Sequence, residues 1–202
     1  MIDRFLNYDL PSYDESKYLL NKRALSIKLR EEYITQIGFV FYTKEVIDLL
    51  SDYLLDKSNI VEIGAGTGYL SKLLLNKGIN LTPVDSLIGF YHTQVFTKYH
   101  TEILKGDGID YVKVNNPNVV ILSWPDYESD FAAKVVECMS ADAILIYQGE
   151  SCGGCTADYD FFNQLDNFEL QTVITELLDE YHIPFFGMHD EWEVYKKLSP
   201  KV

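Results

Sequence analysis

Apolar positions in this chain follow two patterns that alternate along its length. One is helical. Val46, Leu49, Leu50, Tyr53 and Leu54 recur at i, i+3, i+4, i+7 and i+8 behind Thr43, a side chain suited to capping a helix start. Leu70, Leu73 and Leu74 repeat the spacing until Asn76-Lys77-Gly78 ends it, and Ala132, Val135, Val136 and Met139 repeat it behind Ser129. The other pattern is a short run apolar on both faces: Ile60 to Ile63, Ile79 to Val84, Thr101 to Leu104, Asn118 to Leu122, and Ala143 to Tyr147. Residues 12–35, with Leu19, Leu20, Leu25 and Ile27 among polar neighbours, predict one N-terminal helix packed on the sheet.

The pattern changes past Gly154. A helix is expected from about Ala157 to Leu165, opening on Asp158 and Asp160, whose charges suit the positive end of its dipole. Phe168 to about Leu178 and Glu191 to Lys197 then alternate as two further strands, and with no long crossover helix read between them they are expected to pair antiparallel. The predicted fold class is therefore α/β: a doubly wound, mostly parallel seven-stranded sheet with an antiparallel C-terminal end, preceded by N-terminal helices. A length of 202 residues fits a single domain over 1–202, with 1–42 a helical extension and 43–198 the core.

Charge narrows the partners. Seventeen basic against 31 acidic residues leave a net charge of −14, which works against nucleic acid and anionic membranes and favours a small-molecule or protein substrate. One stretch departs from this: Ser16 to Arg30 carries Lys17, Lys22, Arg23, Lys28 and Arg30 with no acid, either a solvated helix face or a basic arm for an acidic partner. No apolar run approaches the roughly 20 residues needed to span a bilayer. The first residues, Met1-Ile2-Asp3-Arg4-Phe5, lack an apolar signal core, so a cytoplasmic location is expected. Three cysteines, Cys138, Cys152 and Cys155, make no disulfide framework.

The candidate chemistry begins in the run Val61-Glu62-Ile63-Gly64-Ala65-Gly66-Thr67-Gly68-Tyr69-Leu70, which reads as strand, glycine turn and helix. Glycines at alternate positions let the backbone turn tightly and approach a ligand, and the helix start beyond them carries unpaired amides, so a nucleotide-like ligand is expected. In an open α/β sheet such a ligand lies across the carboxyl ends of the strands. Three acids fall there. Glu62 precedes the glycines. Asp85 ends the second strand, 85 − 64 = 21 positions after the first glycine, where an acid can accept from ribose hydroxyls. Asp107 follows the third, within Gly106-Asp107-Gly108, where a carboxylate could accept from an adenine amino group. Read alone, Asp85 and Asp107 are equally plain turn residues.

A dinucleotide fingerprint spaces its glycines G-x-G-x-x-G, whereas here they read G-x-G-x-G behind Glu-Ile. With Asp85 and Gly106-Asp107-Gly108 in order behind it, this run resembles the class I S-adenosylmethionine-dependent methyltransferases. The resemblance covers roughly Thr43 to Lys197 and makes 43–198 a Rossmann-like core. It implies S-adenosylmethionine as cofactor, with the methionine end and sugar cradled by Glu62, Gly64, Ala65, Gly66 and Gly68, the ribose held by Asp85, and the adenine met by Asp107 and Gly108.

The fourth strand ends in Ser123-Trp124-Pro125-Asp126-Tyr127, which resembles the Asp/Asn-Pro-Pro-Tyr motif of methyltransferases acting on exocyclic amines. Pro125 and Tyr127 match. Trp124 stands at the acceptor position and offers only an N–H donor, and Asp126 replaces the second proline. What carries over is an aromatic wall facing substrate, without the amine chemistry, and core packing is the competing reading for both aromatics. The fifth strand is followed by the polar stretch Gln148 to Thr156, read as a flexible loop on the ligand edge. Trp-Pro with a Gly-Glu and Gly-Gly-Cys-Thr loop also resembles a poorly characterised group of methyltransferase-like proteins. Glu150 there is a candidate general base or cation-binding acid, with a solvated loop acid as the alternative. Cys152-Gly-Gly-Cys155 has a spacing used in zinc and redox sites, but no second ligand pair matches it, and His182 and His189 are not tied to it, so no metal is expected. His92 could face the cofactor or solvent.

The expected activity is thus methyl transfer from S-adenosylmethionine to a small molecule or protein, with Trp124, Pro125, Tyr127 and Glu150 at the reaction end. The alternatives are a non-catalytic cofactor-binding or scaffold domain, and an NAD-dependent oxidoreductase, which the glycine spacing disfavours.

Overall fold

The computed structural model describes residues 2–199. Helices come first: α1 (Ile2–Leu6), α2 (Tyr13–Leu20), α3 (Arg23–Gln36) and α4 (Lys44–Leu54). The single helix expected over 12–35 is two. Ser12 caps α2 in a reciprocal box with Glu15, and the chain leaves helical geometry at Lys22 (φ −95°, ψ 102°) before α3 starts. In α4 the Thr43 hydroxyl accepts from the Val46 amide at 3.3 Å, the cap that the sequence predicts.

The alternating part then follows as β1 (Ile60–Ile63), α5 (Tyr69–Asn76), β2 (Leu81–Asp85), β3 (Leu104–Lys105), α6 (Gly108–Asn115), β4 (Val119–Ser123), α7 (Phe131–Cys138), β5 (Ile144–Glu150), α8 (Tyr159–Gln164), β6 (Phe168–Leu170), α9 (Thr172–Tyr181) and β7 (Asp190–Lys197). The seven strands form one sheet in the order β3-β2-β1-β4-β5-β7-β6, parallel through β5 and antiparallel where β7 meets β5 and β6. Side chains alternate between its faces. Ile60, Ile121, Ile146, Trp192 and Val194 pack with α1, α3, α4, α5 and α9. Val61, Ile63, Val120, Leu122, Leu145 and Tyr147 pack with α6, α7 and α8. Among the described residues no helix is long and apolar enough to cross a membrane.

Four local expectations are corrected. The strand expected from Phe168 to about Leu178 stops at Leu170, and α9 fills the rest, so β6 and β7 pair antiparallel across a helix. The β-branched run Thr172 to Thr175 favours a strand locally, but burial falls on Thr175 and Leu178 while Val173 is 75% exposed, a helical spacing set by packing on α4 and β7. The strand expected from Thr101 to Leu104 is only Leu104–Lys105, both exposed at the sheet edge. Gln148 to Glu150 is not loop but the end of β5, because β7 runs alongside it and pairs Gln148 with Trp192 and Glu150 with Asp190. Helix α6 had no counterpart, since only Gly108 and Val112 of its eight residues are buried and no apolar period shows.

Candidate functional site

The order of strands reverses between β1 and β4, and a cavity of about 390 Å³ opens there at the carboxyl ends of the strands, a volume within the ~300–1,000 Å³ usual for small-ligand sites. Its floor is the glycine turn. Gly64, Gly66 and Gly68 have φ of 71°, 57° and 72°, the left-handed region that side chains with a Cβ disfavour. The amides of Gly64 and Ala65 donate to the Val84 carbonyl at 2.9 and 3.2 Å, tying the turn to β2. Gly68 starts α5, and a Cβ there would lie 2.9 Å from the Thr101 methyl.

Three carboxylates surround this turn, and each holds backbone amides. Glu62, buried in β1, accepts from the Ser71 amide of α5 at 3.1 Å and from the Ser71 hydroxyl. Burial pushes its carboxyl up to about 7, against the pull of Ser71 and with a smaller push from Asp85. Asp85 accepts from the amides of Gly66 at 2.9 Å and Leu87 at 2.8 Å, and His92 Nε2 lies 3.0 Å from Asp85 Oδ1. Asp107 caps α6 through the amides of Ile109 and Asp110 at 2.8 and 3.0 Å. Behind that cap Gly108 packs tightly: a Cβ would lie 2.5 Å from Ile63 Cγ2 and 3.1 Å from Phe131 Cζ. Gly108→Ala is therefore expected to overpack the β1–α6–α7 junction, costing about 1–3 kcal/mol and lowering the thermal midpoint by several degrees at roughly 2–4 °C per kcal/mol. An unchanged melting curve would show that Ile63 yields freely.

One wall of the cavity comes from the segment between α3 and α4, which local sequence patterns do not place at the site. Ile37, Gly38, Phe39, Val40 and Tyr42 border the cavity. The Thr67 hydroxyl in the glycine turn donates to the Ile37 carbonyl. His100 reinforces the junction: its amide donates to the Thr67 carbonyl at 2.9 Å, and its Nε2 donates to the Gln36 carbonyl at 2.6 Å. Burial lowers its pKa, so the imidazole is neutral and Nδ1 accepts from the Tyr8 hydroxyl at 3.1 Å.

Aromatic rings then close the rim in an unbroken series. Phe96 and Tyr91 are stacked at 5.8 Å, Tyr91 meets Phe39 edge-on at 5.0 Å, and Phe39 stacks on Trp124 at 5.5 Å with 10° between planes. All four border the cavity. Trp124 itself has φ 53°, a conformation that bulky residues rarely adopt, and its amide donates to the Gln148 carbonyl at 2.7 Å. Burial raises the Tyr42 phenol far above its usual range.

Of the residues singled out in the sequence, Glu62, Gly64, Ala65, Gly66, Asp85, Asp107, Gly108, Trp124 and Pro125 border this one cavity, and so does His92. Gly68, Tyr127 and Glu150 do not border it. Tyr127 is 56% exposed. Glu150 is buried and turned to the loop behind: one oxygen accepts from the Cys155 amide at 2.7 Å and the other from the His189 amide at 3.0 Å. Cys152 and Cys155 are exposed, and among the described residues no three His, Cys, Asp or Glu side chains gather as metal ligands. Phe39, Tyr42, Tyr91, Phe96 and Phe131 were missed as cavity residues. The aromatic residues Phe90, Tyr91, Phe96 and Tyr99 in the stretch after Asp85 are the one visible signal in the sequence, and Phe39 reaches the site only through contacts distant in sequence.

No family model matches this chain, and no curated protein matches it. Among solved structures it is similar to a TehB-like SAM-dependent methyltransferase from Corynebacterium glutamicum, at 14% identity over 76% of this chain and 87% of that one, with a TM-score of 0.48. A SAM-dependent methyltransferase from Archaeoglobus fulgidus is 14% identical over 92% of this chain and 99% of that one, with a TM-score of 0.44. A mutant of the protein MtNAS in complex with S-adenosylmethionine is 12% identical over 98% and 76%, with a TM-score of 0.49. These likenesses concern the arrangement of layers, and none says what this chain binds.

Proposed function

We propose that this chain binds S-adenosylmethionine and is a methyltransferase acting on a small molecule or a protein. The observation that carries this reading is the charge of the cavity. Its bordering carboxylates among the described residues are Glu62, Asp85, Asp107 and Asp126, and no described lysine or arginine borders it. Amides near the starts of α5 and α6, which could hold a phosphate, are instead taken by the chain's own Glu62 and Asp107. A pyrophosphate would meet negative charge without a counter-ion, whereas a sulfonium meets carboxylates and aromatic rings.

The residues fit that cofactor part by part. Asp85 stands where ribose hydroxyls can reach a carboxylate already fixed by Gly66 and Leu87. The glycine turn allows close backbone approach, and Glu62 faces the cavity with one oxygen tied to Ser71. When bound, S-adenosylmethionine supplies a methyl group already activated by its sulfonium centre. The chain's part is to orient its ligands and exclude water, tasks that suit the aromatic rim from Phe96 to Trp124.

The test compares thermal midpoints with S-adenosylmethionine, S-adenosylhomocysteine and NAD. A ligand that binds only the folded state stabilises it by mass action, by about 2.7 kcal/mol at one hundred times its Kd, and so raises the midpoint. Shifts with the first two and none with NAD are expected; the reverse sinks the reading. A second reading, cofactor binding without turnover, draws on Glu150, whose two oxygens are both engaged by backbone amides away from the cavity. Transfer of labelled methyl to any fraction of a cell extract, lost in Glu62→Ala, excludes it.

A further inference from the structure

The rim series Phe96, Tyr91, Phe39 and Trp124 joins three segments far apart in sequence, and at its Trp124 end stands Asp126. Asp126 differs from the other three cavity carboxylates. Glu62, Asp85 and Asp107 each hold backbone amides, but Asp126 is exposed at the rim and, among the described residues, makes no side-chain hydrogen bond or ion pair. A carboxylate two residues from Trp124, in a cavity that no described lysine or arginine borders and in a chain of net charge −14, complements positive charge by Coulomb attraction, and the aromatic rings lining the same cavity add their quadrupoles. Trp124 is held there in a left-handed backbone conformation, which ties its ring position to the Gln148 contact rather than to local preference.

We infer that the Phe39–Trp124–Asp126 end of the cavity is a second ligand site, selective for a small organic cation such as a protonated amine or a quaternary ammonium. The site as such stands on this geometry; its role as the acceptor's seat rests on the reading of the cavity as a cofactor site, and there the methyl would go to an amine that has first lost its proton to solvent or, in a quaternary ammonium ligand, to a different atom that carries a lone pair. Anionic acceptors, carboxylates and phosphates alike, are disfavoured by Asp126, with no described lysine or arginine bordering the cavity to offset it.

The experiment titrates the protein with phenyltrimethylammonium, phenethylamine and 3-phenylpropionate, first alone and then saturated with S-adenosylhomocysteine, following the thermal midpoint and tryptophan fluorescence. Both cations are expected to give saturable responses at least about 10-fold tighter than the carboxylate, and to keep them in the saturated protein. Phe39→Leu and Asp126→Asn are each expected to weaken the cations by about 3- to 10-fold, and by more than they weaken S-adenosylhomocysteine. Equal or tighter binding of 3-phenylpropionate overturns the inference, whether or not the variants fold. So does a cation response abolished by S-adenosylhomocysteine, which would put the probe in the cofactor's place. No response to S-adenosylhomocysteine at all overturns the cofactor reading instead, and the cation site is then judged on the first titration alone.

Discussion

Asp85→Ala is expected to lose at least about 100-fold in affinity for S-adenosylhomocysteine by titration calorimetry. The carboxylate sits 8% exposed at the end of β2, where its two oxygens hold Gly66, Leu87 and His92. Two ribose hydroxyls on such a group make charge-assisted bonds of roughly 1.5–3 kcal/mol each, and about 1.4 kcal/mol corresponds to a factor of ten. The turn loosens as well, because the Gly66 amide loses its acceptor, so the melting point is expected to fall alongside. Asp85→Asn separates the effects. It keeps the shape, but its amide nitrogen faces donors on one side or the other, leaving affinity reduced in a better-folded protein. Binding in both variants as tight as in the parent would remove Asp85 from the cofactor site.

The second large effect is a dependence on pH centred on Glu62. Its carboxyl titrates near 4.5 unfolded and about 7 folded, chiefly because burial penalises the charge. The folded state therefore binds the proton more tightly, and stability falls as pH rises from about 4.5 to about 7, staying low above that. At about 1.4 kcal/mol per pH unit the loss approaches roughly 3 kcal/mol. Glu62→Gln is neutral throughout, so its melting point is expected to lack this slope and to exceed the parent's at pH 8, where the parent carries the buried charge. A cationic ligand in the cavity favours the ionised form, so binding near pH 7 is expected to release a proton. Calorimetry in buffers of different ionisation enthalpy reads that release, and the glutamine variant should show markedly less of it. Parallel melting curves for parent and variant between pH 5 and pH 8 would place the Glu62 pKa near its ordinary value.

The parts of this molecule legible in its sequence are those written by neighbours. Thr43 with its apolar period, and the three alternate glycines after Ile63, announce α4 and the turn because cap, spacing and backbone freedom all act within a few residues. Misreadings fall where distant packing overrides local preference. The run Thr172 to Thr175 looks like a strand until packing on α4 and β7 makes it helical. Gln148 to Glu150 looks like a loop until β7 runs beside it. The cavity divides along the same line. Its floor follows from β1, β2 and the acids at their ends, while the wall from Ile37 to Tyr42 reaches it through Thr67 and His100, contacts about 30 and 64 positions apart in the chain. Glu150 reads from the sequence as a candidate general base, cation-binding acid or solvated loop acid, and the amides that meet its two oxygens, those of Cys155 and His189, come together only in the folded chain.

The position of β7 bears on how the chain is made. It is the last of the seven strands in the sequence, yet it lies between β5 and β6. Until residues Asp190–Lys197 leave the ribosome, the seven-residue edge of β5 has no partner, and β6 has nothing to pair with at all. A nascent chain at that stage carries an open edge beside a half-covered apolar face, the combination that invites pairing with other chains. Synthesis that stalls just before Asp190 should therefore yield aggregates held through β5, and a chaperone that shields one strand's edge would be needed only until β7 emerges.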